Sequence, residues 1–204
     1  MRSAALGVAL LLAVVSGCSA RDAAPAEVGP LASGSVSTGP SDTPASVRPD
    51  SRANSTSGPA ERPVEPSVPS AAAASDSAGA SAFARHFIAT LQAALASGDS
   101  RALASLSAPS CGGCTNLMEA IAAAASAGHR VRRAELVVAF SEAPQVRDGE
   151  TIVDLRYQRR AGDVVNASGD IVQAIPAEGA IDTQLRVTHT GSGWLVLGFR
   201  RLPG

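Results

Sequence analysis

Lysine is missing from all 204 residues, so the seventeen basic side chains are arginines. We attribute this to codon composition in a GC-rich genome. Eighteen acidic residues leave a net charge of -1, which excludes bulk attraction to nucleic acid. Aromatic residues are scarce as well: one Trp, one Tyr and four Phe, all after position 80, so a packed core can form only there. The apolar run Ala4 to Val15 is too short for a spanning helix. A serine nucleophile elbow, a phosphate-cradling glycine loop and a metalloprotease helix are absent. His86, His129 and His189 are scattered without triad or metal spacing, so no catalytic residue, metal or cofactor is indicated.

What the chain does have begins at its N-terminus. Met1-Arg2-Ser3 and the Ala/Leu/Val run that follows have the proportions of a secretory signal. Val15-Ser16-Gly17-Cys18 resembles the site at which bacterial lipoprotein precursors are diacylated on the thiol and then cut. Residues 1–17 are then a lipoprotein signal peptide, and Cys18 is the first, lipidated residue of the mature protein. Two acyl chains anchor stably where one holds only reversibly. The expected location is the cell membrane, lipid-anchored on its extracytoplasmic face, and the expected partner is the membrane itself through Cys18.

Residues 18–80 form an Ala/Ser/Pro-rich linker holding nine of the thirteen prolines and no aromatic residue. Such sequence buries too little apolar surface to offset chain entropy and is expected to be disordered. As a coil it spans roughly 40–50 Å, and fully drawn about 200 Å. Asn54-Ser55-Thr56 matches a glycosylation sequon, which Ser/Thr-rich sequence produces by chance.

Residues 81–204 are long enough for one domain. Phe83, Phe87, Ile88, Leu91, Ala94 and Leu95 recur at helical spacing and predict a helix over 81–97, ended by Gly98. Asp99 caps a short helix over 100–106, and Leu117, Met118 and Ile121 predict a third over 115–127, closed by Gly128. From Val131 the period changes to two. Leu136, Val138 and Phe140 alternate on one strand, Asp148-Gly149 turns, and Val153, Leu155 and Tyr157 line the next. A turn at Gly162-Asp163 leads into a strand bulged at Gly169 and stopped by Pro176. Ile181, Thr183, Leu185 and Val187 line a fourth strand; after Gly191-Ser192-Gly193 comes a fifth, with Leu195, Leu197 and Phe199 opposing Trp194 and Val196. The expected class is α+β: three N-terminal helices packed on a curved antiparallel sheet, a meander in connectivity.

The helix and Gly98-Asp99 turn, the Cys111-x-x-Cys114 that follows and the late Trp194 resemble an uncharacterised domain family of actinobacterial lipoproteins. The order of helices and strands is similar to the cone-shaped nuclear-transport-factor-2-like folds. That resemblance implies architecture and leaves activity open, because these folds host enzymes, binding modules and assembly domains.

Three local features carry chemistry. In an exported protein with Cys18 consumed by lipid, Cys111 and Cys114 form one pair, most simply a disulfide; the alternative is a redox site, since a CxxC at a helix N-terminus activates its first thiol. Zinc would need two further ligands that the spacing does not supply. Tyr157, Asp154, Arg156 and His189, with Asp182 and Arg186, would line a small polar pocket if they shared the concave side of the sheet. Alternation with apolar neighbours equally describes a solvated face with cross-strand ion pairs. Arginines at 130, 132, 133, 159, 160, 200 and 201 either gather on one rim, to meet anionic lipid or wall polymer, or are solvated turn charges. The expected function is a non-catalytic interaction or scaffold domain of the cell envelope, whose partner is an envelope protein or wall polymer. The alternatives are a small-ligand-binding or weakly enzymatic cone-fold domain and a thiol-disulfide protein.

Overall fold

The first described element lies in alanine-rich sequence before the first aromatic residue. The computed structural model describes residues 66–203; the signal segment, Cys18 and the linker up to residue 65 lie outside the described residues. Ser70–Ala73 form a 3-10 turn and helix α1 already starts at Ser77, so the domain begins ahead of the expected boundary at 80. Local composition missed this because the stabilising partners are distant. The Trp194 indole Nε1 donates to the Ala74 carbonyl at 2.9 Å, and Ala72 is buried. Asp76 then caps α1 by accepting from the Gly79 amide. A Cβ on Gly79 would stand 1.9 Å from the Ala74 oxygen, so this close return of the chain requires glycine.

Helix α1, Ser77–Ser97, buries Phe83, Phe87, Ile88 and Ala94 along one stripe, as the helical spacing predicts. It ends at Gly98, whose φ of 75° suits a left-handed cap. Helix α2, Arg101–Ser105, starts one residue later than expected. Asp99 accepts from the Arg101 amide, and the Arg101 guanidinium foremost, then that amide, hold the Asp99 carboxyl down at about 2. Helix α3, Gly112–Ser126, starts earlier than expected because Cys111 Sγ accepts from the Cys114 amide and caps it. Arg130 then closes both long helices, donating to the carbonyls of Ser97 and Ala125 at their C-termini.

Seven strands follow: β1 Arg130–Arg132, β2 Leu136–Glu142, β3 Glu150–Arg159, β4 Gly162–Val165, β5 Ile171–Ile175, β6 Glu178–Thr190 and β7 Gly193–Arg201. They make two antiparallel sheets and not the single meander expected, ordered β2-β3-β6-β7 and β1-β4-β5. After β3 the chain leaves the larger sheet, makes the β4–β5 hairpin on β1, and returns as β6 beside β3. Gly162 opens β4 instead of a turn, with its Cα so near Ala134 that an added Cβ would lie 2.2 Å from the Ala134 nitrogen. Gly169 is no bulge: the Asn166 carboxamide oxygen accepts from the Ser168 and Asp170 amides, folding a hairpin loop that Gly169 completes at φ 86°. Asp148 and Gly149, at φ 52° and 78°, make the expected β2–β3 turn.

Two bulges change which side chains face the helices. One between Val138 and Phe140 puts Phe140 opposite Arg156 and leaves it 44% exposed, contrary to simple alternation with Leu136 and Val138. The other skips Leu197, since Val187 pairs with Val196 and Arg186 with Gly198. Phe199 thereby joins the Trp194 side of β7, its ring centroid 6.5 Å from that of Phe87. The inner face of the larger sheet, Val153, Leu155, Ile181, Leu185, Val187 and Val196, is buried against α1 and α3.

The attachment of residues 70–76 is directly testable. Trp194→Phe removes the indole donor and is expected to cost about 1 kcal/mol, with faster proteolysis near residues 66–76. Gly79→Ala should cost more, about 1–3 kcal/mol, because backbone must move. Urea midpoints and peptide mapping of limited digests check both.

Candidate functional site

Strand alternation divides the four pocket candidates. Tyr157 faces inward and is 7% exposed, whereas Asp154 and Arg156, its neighbours on β3, are exposed on the outer face. His189 lies at the other end of β6, its ring edge-on to Trp194 with centroids 5.0 Å apart. The expected polar pocket is therefore not formed by Tyr157, Asp154, Arg156 and His189. The outer residues make a cross-strand network instead: Arg156 pairs with Asp182 at 2.7 Å, Gln184 donates to Asp154 at 2.8 Å, and Arg200 donates to Gln184. The Arg156 guanidinium beside Asp182 holds its carboxyl below the usual range. A shallow open groove borders this network, lined by Phe140, Asp154, Arg156, Asp182, Leu202 and Pro203.

A charged cluster closes one end of the larger sheet. Arg159 at the end of β3 pairs with Glu178 at the start of β6 at 2.9 Å, and Arg201 at the end of β7 pairs with the same carboxylate. The Arg159 side chain is 12% exposed, and its Nε is buried without a hydrogen-bond partner. Tyr157 stands beside them. Burial pushes its phenol up from the ordinary value, opposed by the nearby Thr183 hydroxyl and the two guanidinium charges. The arginines were visible in the sequence as rim candidates. Glu178 was not, because it sits between Pro176 and Gly179 in a stretch that reads as a turn; the signal was its place two residues past a proline stop, at the start of an alternating strand.

Around the same end, Arg160 pairs with Glu135 and Arg133 with Asp163. Among the described residues no group of three or more His, Cys, Asp or Glu side chains could hold a metal ion.

Cys111 and Cys114 are joined by a disulfide at the start of α3. Cys111 is 0% and Cys114 2% exposed, so neither sulfur is presented to an attacking thiolate. The bond fixes the entry to α3, against which Phe199 of β7 packs at Gly113.

Two measurements follow. The chain has one tyrosine, so phenolate absorbance reports Tyr157 alone. Its native titration should lie above 10, returning to about 10 in denaturant; stability from its burial is complete below that pH and is lost as pH rises through the folded value. Replacing both Cys111 and Cys114 by Ser should lower stability by about 2 kcal/mol, as expected for so small a loop, and the native disulfide should resist exchange with a small thiol until the domain opens.

Two solved structures are similar to this chain. The intermembrane-space region of the chloroplast protein ARC6 matches with a TM-score of 0.50 and 11% identity, over 62% of this chain and 95% of that one. A protein of unknown function with a cystatin-like fold from Nostoc punctiforme matches with a TM-score of 0.39 and 14% identity, over 58% of this chain and 86% of that one. No curated protein matches the chain. Residues 51–200, most of the chain and nearly all of the domain, match the model of a family of unknown function, DUF6318, and the chain belongs to that family.

Proposed function

We propose that the protein is a lipoprotein of an actinobacterial cell envelope, in which a non-catalytic interaction or scaffold domain of cone-shaped, nuclear-transport-factor-2-like architecture is held outside the cytoplasm on a tether. The observation that carries the non-catalytic reading is the filled inner face. Phe83, Phe87, Leu155, Ile181, Leu185 and Val196 occupy the space between helices and sheet that a ligand would need. Polar groups with specific partners lie instead on the outer face and at the strand ends, where they suit contact with another surface. The buried disulfide favours a structural use of the cysteine pair over exchange.

The anchor rests on Val15-Ser16-Gly17-Cys18. Among the described residues no helix is long and apolar enough to cross a membrane, so attachment in this reading is the work of lipid on Cys18. Intact-mass analysis of the mature protein should give a chain beginning at a diacylated Cys18, and Cys18→Ala should release the protein from the membrane fraction. An unmodified Cys18, or membrane retention of Cys18→Ala, would contradict the anchor.

A further inference from the structure

On the face of the larger sheet turned away from the helices, charge is divided along the strands. Register carries three rows across it. Phe140 on β2 stands beside Arg156 on β3, then Asp182 on β6, then Leu202 just beyond β7, whose amide donates to the Asp182 carbonyl. The next row is Glu142, Asp154, Gln184 and Arg200, and the third sets Ile152 beside Arg186 and Gly198. Glu150 lies beyond them on β3, opposite Thr188. Arg156 and Asp182 answer each other across the middle of the sheet. Among the described residues, Glu142, Glu150, Asp154, Arg186 and Arg200 enter no ion pair. The unanswered carboxylates therefore stand on β2 and β3, and the unanswered guanidinium groups on β6 and β7.

We propose that this outer face pairs with the same face of a second copy of the chain, about a two-fold axis running along the strands between β3 and β6. Such an axis lays β2 and β3 of one copy over β7 and β6 of the other, with each row at its own height. Glu142 and Asp154 then meet Arg200 of the second copy, and Ile152 meets the methylene stem of its Arg186. Phe140 meets Leu202 and Pro203 of the second copy, which wall the shallow groove on its far side. The symmetry makes every contact twice. An axis running across the strands would instead set the unanswered carboxylates against one another and the arginines likewise, so charge selects the first arrangement. Two twisted sheets packed in this way keep their strand directions within about 30° of each other.

Charge also argues against other occupants. A uniformly anionic surface or polymer is repelled by Glu142, Glu150 and Asp154, and a uniformly cationic partner by Arg186 and Arg200. A second copy offers both signs in the order required. Phe140 and Ile152, each 44% exposed, give the contact its apolar component. Because charged pairs share the contact with few apolar side chains, the dimer is reversible and weakens as salt rises. The pairing goes beyond the anchored-domain reading, since neither lipid nor linker enters it.

Sedimentation equilibrium of the full chain carrying Cys18→Ala, at low salt and between about 1 μM and 1 mM, tests the pairing. A monomer–dimer equilibrium is expected. Arg186→Glu with Arg200→Glu should weaken it about tenfold or more, with an unchanged circular dichroism spectrum. Adding Glu142→Arg and Asp154→Arg to that variant exchanges the two halves of the face and should restore the dimer. Phe140→Ser should weaken it about fivefold or more. Arg85→Glu with Arg132→Glu changes the net charge equally at exposed positions of α1 and β1, and should leave it unchanged. A monomer at every concentration, equal loss in the two arginine double variants, or no recovery in the fourfold exchange would overturn the proposal. So would a dimer indifferent to Arg186 and Arg200, which would place the contact elsewhere, as at the edge strand β5 with its exposed Ile171 and Val172. An unmodified Cys18 in the native protein would remove the anchor and leave this result as it stands, so the two readings fail separately.

Discussion

The packing of α1 onto the inner face of the four-stranded sheet is the constraint on which the rest depends. Phe83 and Phe87 are each 2% exposed, and they meet strands whose inward residues, Leu155, Leu185, Val187 and Val196, are equally excluded from water. Burying a side chain of that size contributes roughly 1.5–3 kcal/mol, so a handful of them outweigh any surface ion pair in the molecule. Because strand side chains alternate, committing one face to this core sends every second residue of β3 and β6 to the opposite side. That is why Asp154 and Arg156 cannot meet Tyr157, whatever their proximity in sequence.

The same constraint explains which features were legible beforehand. Helix α1, the Asp148-Gly149 turn and the inward faces of β3 and β6 are local patterns, and each residue there follows its period. Phe140 and Phe199 break theirs, because a bulge adds one residue to a strand and reverses the facing of everything beyond it; no property of Val138 or Leu197 announces this. The division into two sheets was hidden for a related reason. Gly162 and Gly169 both read as punctuation, and only pairing of β4 with the three-residue β1 distinguishes a second sheet from a bulged strand. The turn at Ser70–Ala73 was hidden in linker-like composition, since its partner, Trp194, lies 120 residues later.

Groups with specific partners stand at the ends of helices and strands. The buried disulfide secures the entry to α3, Arg130 joins the ends of two helices, and Glu178 gathers Arg159 and Arg201 at the close of the sheet. Each of these groups also stabilises the fold. Arg132, Arg133 and Arg160 add exposed charge beside the ends of β1 and β3. In the proposed reading Cys18 holds the protein at the membrane, and the filled core leaves its contacts to the outer face and the strand ends.

The space between helices and sheet is occupied by the protein's own side chains. Equilibrium titration of the native chain with an amphiphilic fluorescent probe, followed by probe emission and by the single tryptophan, tests this most directly. No saturable binding is expected, with Trp194 emission unchanged until the domain unfolds. Stoichiometric binding to the native protein, with a shifted Trp194 emission and a raised unfolding midpoint, would contradict it.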